Sequence, residues 1–233
     1  MKVDEFVTKA KDTALLQTCY LMGGFGCRLG KDWYNANYTW NKNNAKIIDA
    51  HKNTNPITFG FDCVCLVKGI LWGFTGNESK EYGGAVYESN NVGDITIAAF
   101  KKSCSDLSTD FTKDPEAGEL LFLGNSHIGI SIGNGEVIES TPAWRCGVQR
   151  TLLPSRNTTN YEKLPVRKWD MHGHSSYIDF DDMWKDAYAK LSNKYAELEI
   201  KHNNATKTAE ALQLKVNKLT KIIEKAKETL TNI

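Results

Sequence analysis

Net charge is nearly missing from this chain. Its 29 lysines and arginines stand against 28 aspartates and glutamates, leaving +1 across 233 residues. That excludes the global basic field that marks a nucleic-acid binder. Long apolar runs are missing too. Its apolar stretches, such as Ile70-Leu71-Trp72, fall far short of the roughly 20 residues a membrane-spanning helix needs. Met1-Lys2-Val3-Asp4-Glu5 carries two early acids and no apolar segment, so no signal peptide is expected and the chain reads as made in the cytoplasm. With 41% hydrophobic residues it can still bury a core.

Proline, glycine and cysteine are unevenly spread. All five prolines, eighteen glycines and six cysteines lie at or before Gly173, and the stretch 174–233 contains none. The tail therefore has no turn or breaker chemistry. Alternating steps of four and three from Trp184 fall on Tyr188, Leu191, Tyr195, Leu198, His202, Ala205, Ala209, Leu212, Val216, Leu219, Ile223, Ala226, Leu230 and Ile233. A period of 3.5 residues kept for seven heptads predicts a coiled coil, because it holds one seam toward a partner helix. Asn203-Asn204, in the thin part of the seam, leaves open a turn into an antiparallel hairpin. Either way residues 184–233 read as an association or spacer element, with a homo-oligomer as the expected state.

The part before the tail, residues 1–180, has the texture of one mixed domain. Phe6, Val7, Ala10, Ala14, Leu15 and Tyr20 predict a helix over residues 4–22, stopped by Gly23-Gly24. Residues 31–58 are Asn-rich and predict a long loop with a short helix near residues 45–51. Phe61 to Trp72 is apolar enough for a buried helix. Residues 120–123, 128–132 and 136–140 read as strands. Helices followed by strands predict an α+β fold, with N-terminal helices packed on an antiparallel sheet. The division expected is a domain over 1–180 and a helical tail over 181–233.

Six cysteines could form a disulfide framework, but a chain this long needs no staples, and without an export signal free thiols are expected. Among them Cys63 follows Asp62 at the start of the apolar helix. A helix N-terminus stabilises a thiolate, and Asp62 can cap the same amides. The competing reading is a small core residue.

A second segment sharpens the choice. From His127 to Ile132 the alternation is strict: Ile128, Ile130 and Ile132 face one way, His127, Gly129 and Ser131 the other. Gly133-Asn134-Gly135 turns the chain into a hairpin. A two-residue turn at Asn134-Gly135 would put Glu139 on the isoleucine face. A three-residue loop, or an equivalent bulge, would pair Ile130 with Ile138 and set Glu139 diagonally beside His127. The second arrangement lets Glu139 orient the imidazole while His127 deprotonates Cys63. His51, His172, His174 and His202 lack such a setting. His172-x-His174 has no third ligand nearby in sequence, so no metal is expected.

Taken in order, these segments resemble the NlpC/P60 family of cell-wall cysteine peptidases, within the papain-like group that includes CHAP domains. Tyr20-Leu21-Met22-Gly23-Gly24 is similar to the family's Tyr-x-x-Gly-Gly motif, and Phe61-Asp62-Cys63 to the start of its catalytic helix. Glu116-Ala117-Gly118-Glu119-Leu120 is similar to its Pro-Gly-Asp-Leu, with Ala for the usual Pro, and His127 to Gly135 to its catalytic strand pair. The resemblance covers residues 1–180, ending in an expected strand at residues 176–180. It implies Cys63 as nucleophile, His127 as general base and Glu139 as the orienting residue, with Tyr20 beside them, the Cys63 amide in the oxyanion hole and no cofactor.

This chain departs from the family in three ways. Val64-Cys65 replaces the small pair that usually follows the nucleophile. Glu139 stands where His is common. The insertion at 31–58 carries Trp33, Tyr34, Tyr38 and Trp40, which with Gly23 and Gly24 make a candidate substrate cleft or simply a packed loop. The implied activity is hydrolysis of peptidoglycan stem-peptide amides after D-γ-glutamate, in a phage endolysin released to the wall through a holin pore. An N-acetylmuramoyl-L-alanine amidase, or a non-catalytic wall-binding or phage structural protein, are the alternatives.

Overall fold

A computed structural model describes residues 1–159 and 163–231. The chain divides into two compact units, Met1–Phe180 and Asp181–Ile233. The first is mixed α+β. Helix α1 (Val3–Leu15) leads into the short strands β1 (Thr18–Tyr20) and β2 (Phe25–Arg28). Helices α2 (Thr39–Asn43) and α3 (Ala45–Ala50) follow, then β3 (Phe59–Phe61), α4 (Cys63–Leu71) and α5 (Ile97–Lys102). The unit continues with β4 (Leu120–Leu123), β5 (His127–Gly133), β6 (Glu136–Thr141), β7 (Gly147–Leu152) and β8 (Met171–Gly173). The last five strands form an antiparallel sheet in the order β7-β6-β5-β4-β8, and the first three a small sheet in the order β1-β3-β2.

The core lies where α1 and α4 meet the large sheet. α1 buries Val3, Phe6, Val7, Ala10 and Thr13, an i, i+3, i+4 stripe. From β5 and β6, Ile128, Ile130 and Ile138 are wholly buried, as are Leu66, Val67 and Ile70 of α4. Burying one such side chain contributes roughly 1.5–3 kcal/mol. The opposite face of the hairpin is covered as well, by a second cluster of Leu121, Val137, Leu153 and Trp169.

The expectations at residues 4–22 and 176–180 are corrected, whereas the bulge offered as one way to pair Ile130 with Ile138 is the one found. The first helix ends at Leu15, not near residue 22, because Thr18-Cys19-Tyr20 pairs in parallel with Phe59-Gly60-Phe61. β-branched and aromatic side chains suit a strand there, and pairing satisfies the backbone that a longer helix would have used. Leu15, placed on the apolar face by its spacing, is 84% exposed. The strand expected at residues 176–180 is reduced to a single bridge between Asp179 and Lys2; the place beside β4 is taken by β8, which comes earlier in the chain. The β5–β6 turn is the two-residue Asn134-Gly135, with Gly133 opposite Glu136. A bulge at Ile132 then restores the pairing of Ile130 with Ile138. The parity that keeps Glu139 off the isoleucine face comes from an extra strand residue rather than from loop length.

The second unit is helix α6 (Asp181–Thr231), 51 residues without a break and about 77 Å long at 1.5 Å per residue. It runs straight through Asn203-Asn204, so no hairpin forms. Leu191, Tyr195, Leu198, Leu212, Val216, Leu219 and Ile223 of the heptad seam are all more than half exposed. Ile233 lies outside the described residues. Among the described residues no helix is long and apolar enough to cross a membrane.

Candidate active site

Two backbone features bring the site together: α4 starts against the first residues of β5, and the bulged β5–β6 hairpin sets Glu139 behind His127. Asp62 caps α4. One carboxylate oxygen accepts from the Cys65 N–H and the other from the Gly23 N–H, both at 2.7 Å. The cap therefore joins the helix start to the Gly-Gly turn after β1. The Cys63 sulfur lies 4.0 Å from the Ser126 carbonyl. The Tyr20 hydroxyl and the Val64 and Ile128 N–H groups are directed at it. The thiol thus sits against the backbone on both sides of His127.

His127 is fixed from two directions. Its Nε2 lies 2.5 Å from the Glu139 carboxylate, and its ring stacks on Trp169 with centroids 5.4 Å apart and planes at 11°. With Nε2–H donated to Glu139, the nitrogen left with a lone pair is Nδ1. Gly129 makes room for the stack, because a Cβ there would stand 2.7 Å from the Trp169 ring.

Glu139 is completely buried and anchored by two residues the sequence did not single out. The Thr151 hydroxyl and Arg167 Nε each donate to it at 2.8 Å. Arg167 also lies 4.7 Å over the Trp144 ring. Burial pushes the Glu139 carboxyl up, but the bonds from His127 and Arg167 outweigh it and hold the group below its ordinary value. Arg167 was invisible to the β-hairpin reasoning because it arrives from the segment after β7, well beyond the hairpin in the chain.

The electrostatics at Cys63 run against the helix-start expectation. Burial, then the neighbouring Asp62, push its thiol up to about 11. The donors from Tyr20 and the two amides act the other way and do not prevail. Sulfur therefore rests as S–H at neutral pH. Cys65 is an inert core thiol, raised further by burial. All six cysteines are free. Cys19 and Cys146 face each other at 3.9 Å between sulfurs. Cys146, half-buried, is lowered by the S–H of Cys19 and by the Tyr20 N–H, against burial. At pH 7, iodoacetamide is expected to reach Cys146 first and Cys63 several-fold more slowly, since the thiolate is the reactive form. Peptide mapping of a labelling time course checks this, and fastest labelling at Cys63 would show an ion pair with His127 in the resting protein.

Of the other residues singled out in the sequence, Tyr20 is buried beside Cys63, its ring 4.8 Å from Trp40. Gly23 and Trp33 line a cavity of about 550 Å³ that Asp62 and Val64 also border. Its aromatic wall includes Phe25, Tyr38, Tyr82 and Tyr87. Gly24 and Trp40 are not cleft residues. Gly24 packs against the Gly60 carbonyl, where a Cβ would stand at 2.7 Å, and Trp40 joins the core cluster of Cys19, Leu21 and Cys27. The insertion is tied down by buried Asn41, whose amide bonds the Met22 backbone twice at 3.0 Å. His172 and His174 do not form one ligand set: His172 is held by Glu119 and the Asp110 carbonyl, while His174 faces Glu116 and Glu119. The fold thus brings a thiol to the strand that carries the His127–Glu139 pair, the kinds of group that nucleophilic acyl transfer uses. No protein-family model matches this chain, and no curated protein matches it.

Proposed function

We propose that the first unit is a thiol hydrolase of peptide or amide bonds in peptidoglycan stem peptides. The observation that carries this reading is the His127–Glu139 pair at 2.5 Å beside a thiol that faces the same strand. His127 Nδ1 takes the Cys63 proton as sulfur attacks the substrate carbonyl. In this reading the Cys63 amide, at the first turn of α4, donates to the oxyanion. Collapse of the tetrahedral adduct breaks the C–N bond, and the imidazolium returns its proton to the leaving amine. Water, activated by the same imidazole, then hydrolyses the thioester. With the resting thiol pushed up to about 11, proton removal and attack occur together.

The wall substrate is supported by the motif resemblance and by the aromatic cavity next to α4, whose size suits a muropeptide fragment. A phage endolysin is the setting such an activity fits. Digestion of purified Gram-positive peptidoglycan with mass spectrometry of the products tests the whole reading. Stems cut after D-γ-glutamate mean endopeptidase; intact stems freed from glycan mean amidase. Absence of any cleavage would leave a wall-binding or structural protein with a silent site, which the raised Cys63 thiol favours.

For the second unit the proposed role is self-association through the seam of α6. Leu198→Asp with Leu219→Asp is expected to convert an oligomer to a monomer in sedimentation equilibrium, because a charge at each seam position must be desolvated on pairing. A wild-type chain that is monomeric at every concentration would defeat this role.

A further inference from the structure

At the end of β4 away from His127, the sheet gathers a second set of titratable side chains. β4 and β8 pair with Leu120 opposite Gly173, and one further step of that register sets Glu119 against His174. Glu116 reaches the same place through the turn at residues 116–119, closed by the Glu119 N–H on the Glu116 carbonyl at 3.2 Å. Gly118 takes φ +95° in that turn, a conformation other residues rarely adopt. His174 Nε2 and one oxygen from each glutamate all lie within 4.8 Å of one another.

The spacing is within ion-pair reach but looser than a hydrogen-bonded cluster. Nε2 stands 3.5 Å from Glu116 Oε2 and 3.5 Å from Glu119 Oε1, long for a charge-assisted hydrogen bond. It is close to the roughly 3.4 Å edge of a tetrahedron whose corners lie about 2.1 Å from a zinc-like centre.

The atoms behind these three are held firmly. His174 Nδ1 is 2.5 Å from Asp106 Oδ2, and the His174 backbone N–H donates to Asp106 Oδ1 at 2.9 Å. The second oxygen of Glu119 is bonded by His172 Nδ1, and His172 Nε2 meets the Asp110 carbonyl at 2.9 Å. When His174 gives Nδ1–H to Asp106, its Nε2 presents a lone pair toward two carboxylate oxygens. Three acceptors then face one point, and the Glu119 side chain is only 5% exposed. A cation satisfies such a set, and the carboxylate–histidine backing is the usual support of a histidine metal ligand.

We propose that Glu116, Glu119 and His174 bind one divalent cation of the zinc class, with water completing the shell. The imidazole in the set and the three-ligand count disfavour calcium, which takes six to eight oxygens. The ion clamps the 116–119 turn to the end of β8. Four steps along the strand lead from Glu119 to Leu123, the partner of His127, about 13 Å, so the role is structural and separate from the cysteine chemistry.

Titration of the chelator-treated full chain with Co²⁺ tests this and also separates the site from the six thiols. Expected are one ion per chain, visible d–d absorption without sulfur-to-metal charge transfer, and a melting temperature that rises with Co²⁺. His174→Ala and Glu119→Gln should abolish the signal. Asp106→Asn should weaken binding by roughly 10–100-fold. Should the buried variants unfold, Glu116→Gln, whose side chain is 46% exposed, keeps the test decisive by weakening binding at least tenfold. No saturable binding, thiolate charge-transfer bands, or equal affinity in wild type and Glu116→Gln would each overturn the proposal.

Discussion

Replacing Cys63 with Ser is expected to abolish the clearing of Gram-positive cell-wall suspensions, a loss of about 10⁴-fold or more in kcat, with the circular-dichroism melt unchanged within about 1 kcal/mol. Oxygen fits the space of sulfur at a site that is 7% exposed, so packing is kept. The serine hydroxyl, however, is a far weaker nucleophile under the same base. His127→Ala should match that loss, because removal of either partner disables the same proton transfer. Wall clearing that persists at the wild-type rate in Cys63→Ser would place the chemistry elsewhere in the molecule.

Glu139→Gln is expected to lower kcat by about 10³-fold, less than loss of Cys63, and in addition to destabilise the first unit. The catalytic loss follows from the tautomer. A glutamine can keep its carbonyl toward Thr151 and Arg167 while its amide N–H points at His127 Nε2. That holds the proton on Nδ1, where the base lone pair is needed, and a wrong tautomer costs on the order of 10³–10⁴. The stability loss arises because the substitution leaves the Arg167 guanidinium, 18% exposed, without its carboxylate. Breaking a buried ion pair costs about 3–5 kcal/mol, and the exposure and the Trp144 contact reduce this to roughly 2 kcal/mol.

The pH dependence gives an independent check on Glu139. Its carboxyl lies below the ordinary value in the folded chain. Its contribution is therefore complete above about pH 4.3 and is lost as pH falls through the folded value. Melting curves of wild type and Glu139→Gln should be fully separated above pH 5 and draw together as pH falls through the lowered folded value. Parallel curves across that range would mean that the carboxylate is not held as described.

Much of the site could be read along the chain because it rests on local periodicity. The helix start at Cys63 follows from a capping aspartate before an apolar run, and the alternation from His127 to Ser131 puts histidine and isoleucine on opposite faces. The relation between His127 and Glu139 needed only the choice that Ile130 oppose Ile138. The means was less accessible: a bulge at Ile132 and a three-residue loop give the same parity, and pattern alone does not separate them. At residues 16–22 local pattern misled. An apolar spacing compatible with helix was overridden by pairing with β3, a partner on the far side of the 31–58 insertion. The same limit applies to Gly24 and Trp40, whose residue types suit a cleft but whose neighbours put them in packed interior.

The sequence by itself determined the α+β texture of the first unit, the heptad pattern of the second, and the candidate pairing of a helix-start thiol with a strand histidine. Each is encoded in the short-range spacing of residues, the range over which backbone geometry repeats. Only the tertiary structure decided the rest. It brought Arg167 and Thr151 to Glu139, laid Trp169 on His127, raised the Cys63 thiol, and gathered Glu116, Glu119 and His174 at one end of β4. These are contacts and burial among residues distant in sequence, and no local periodicity specifies which side chains desolvate one another.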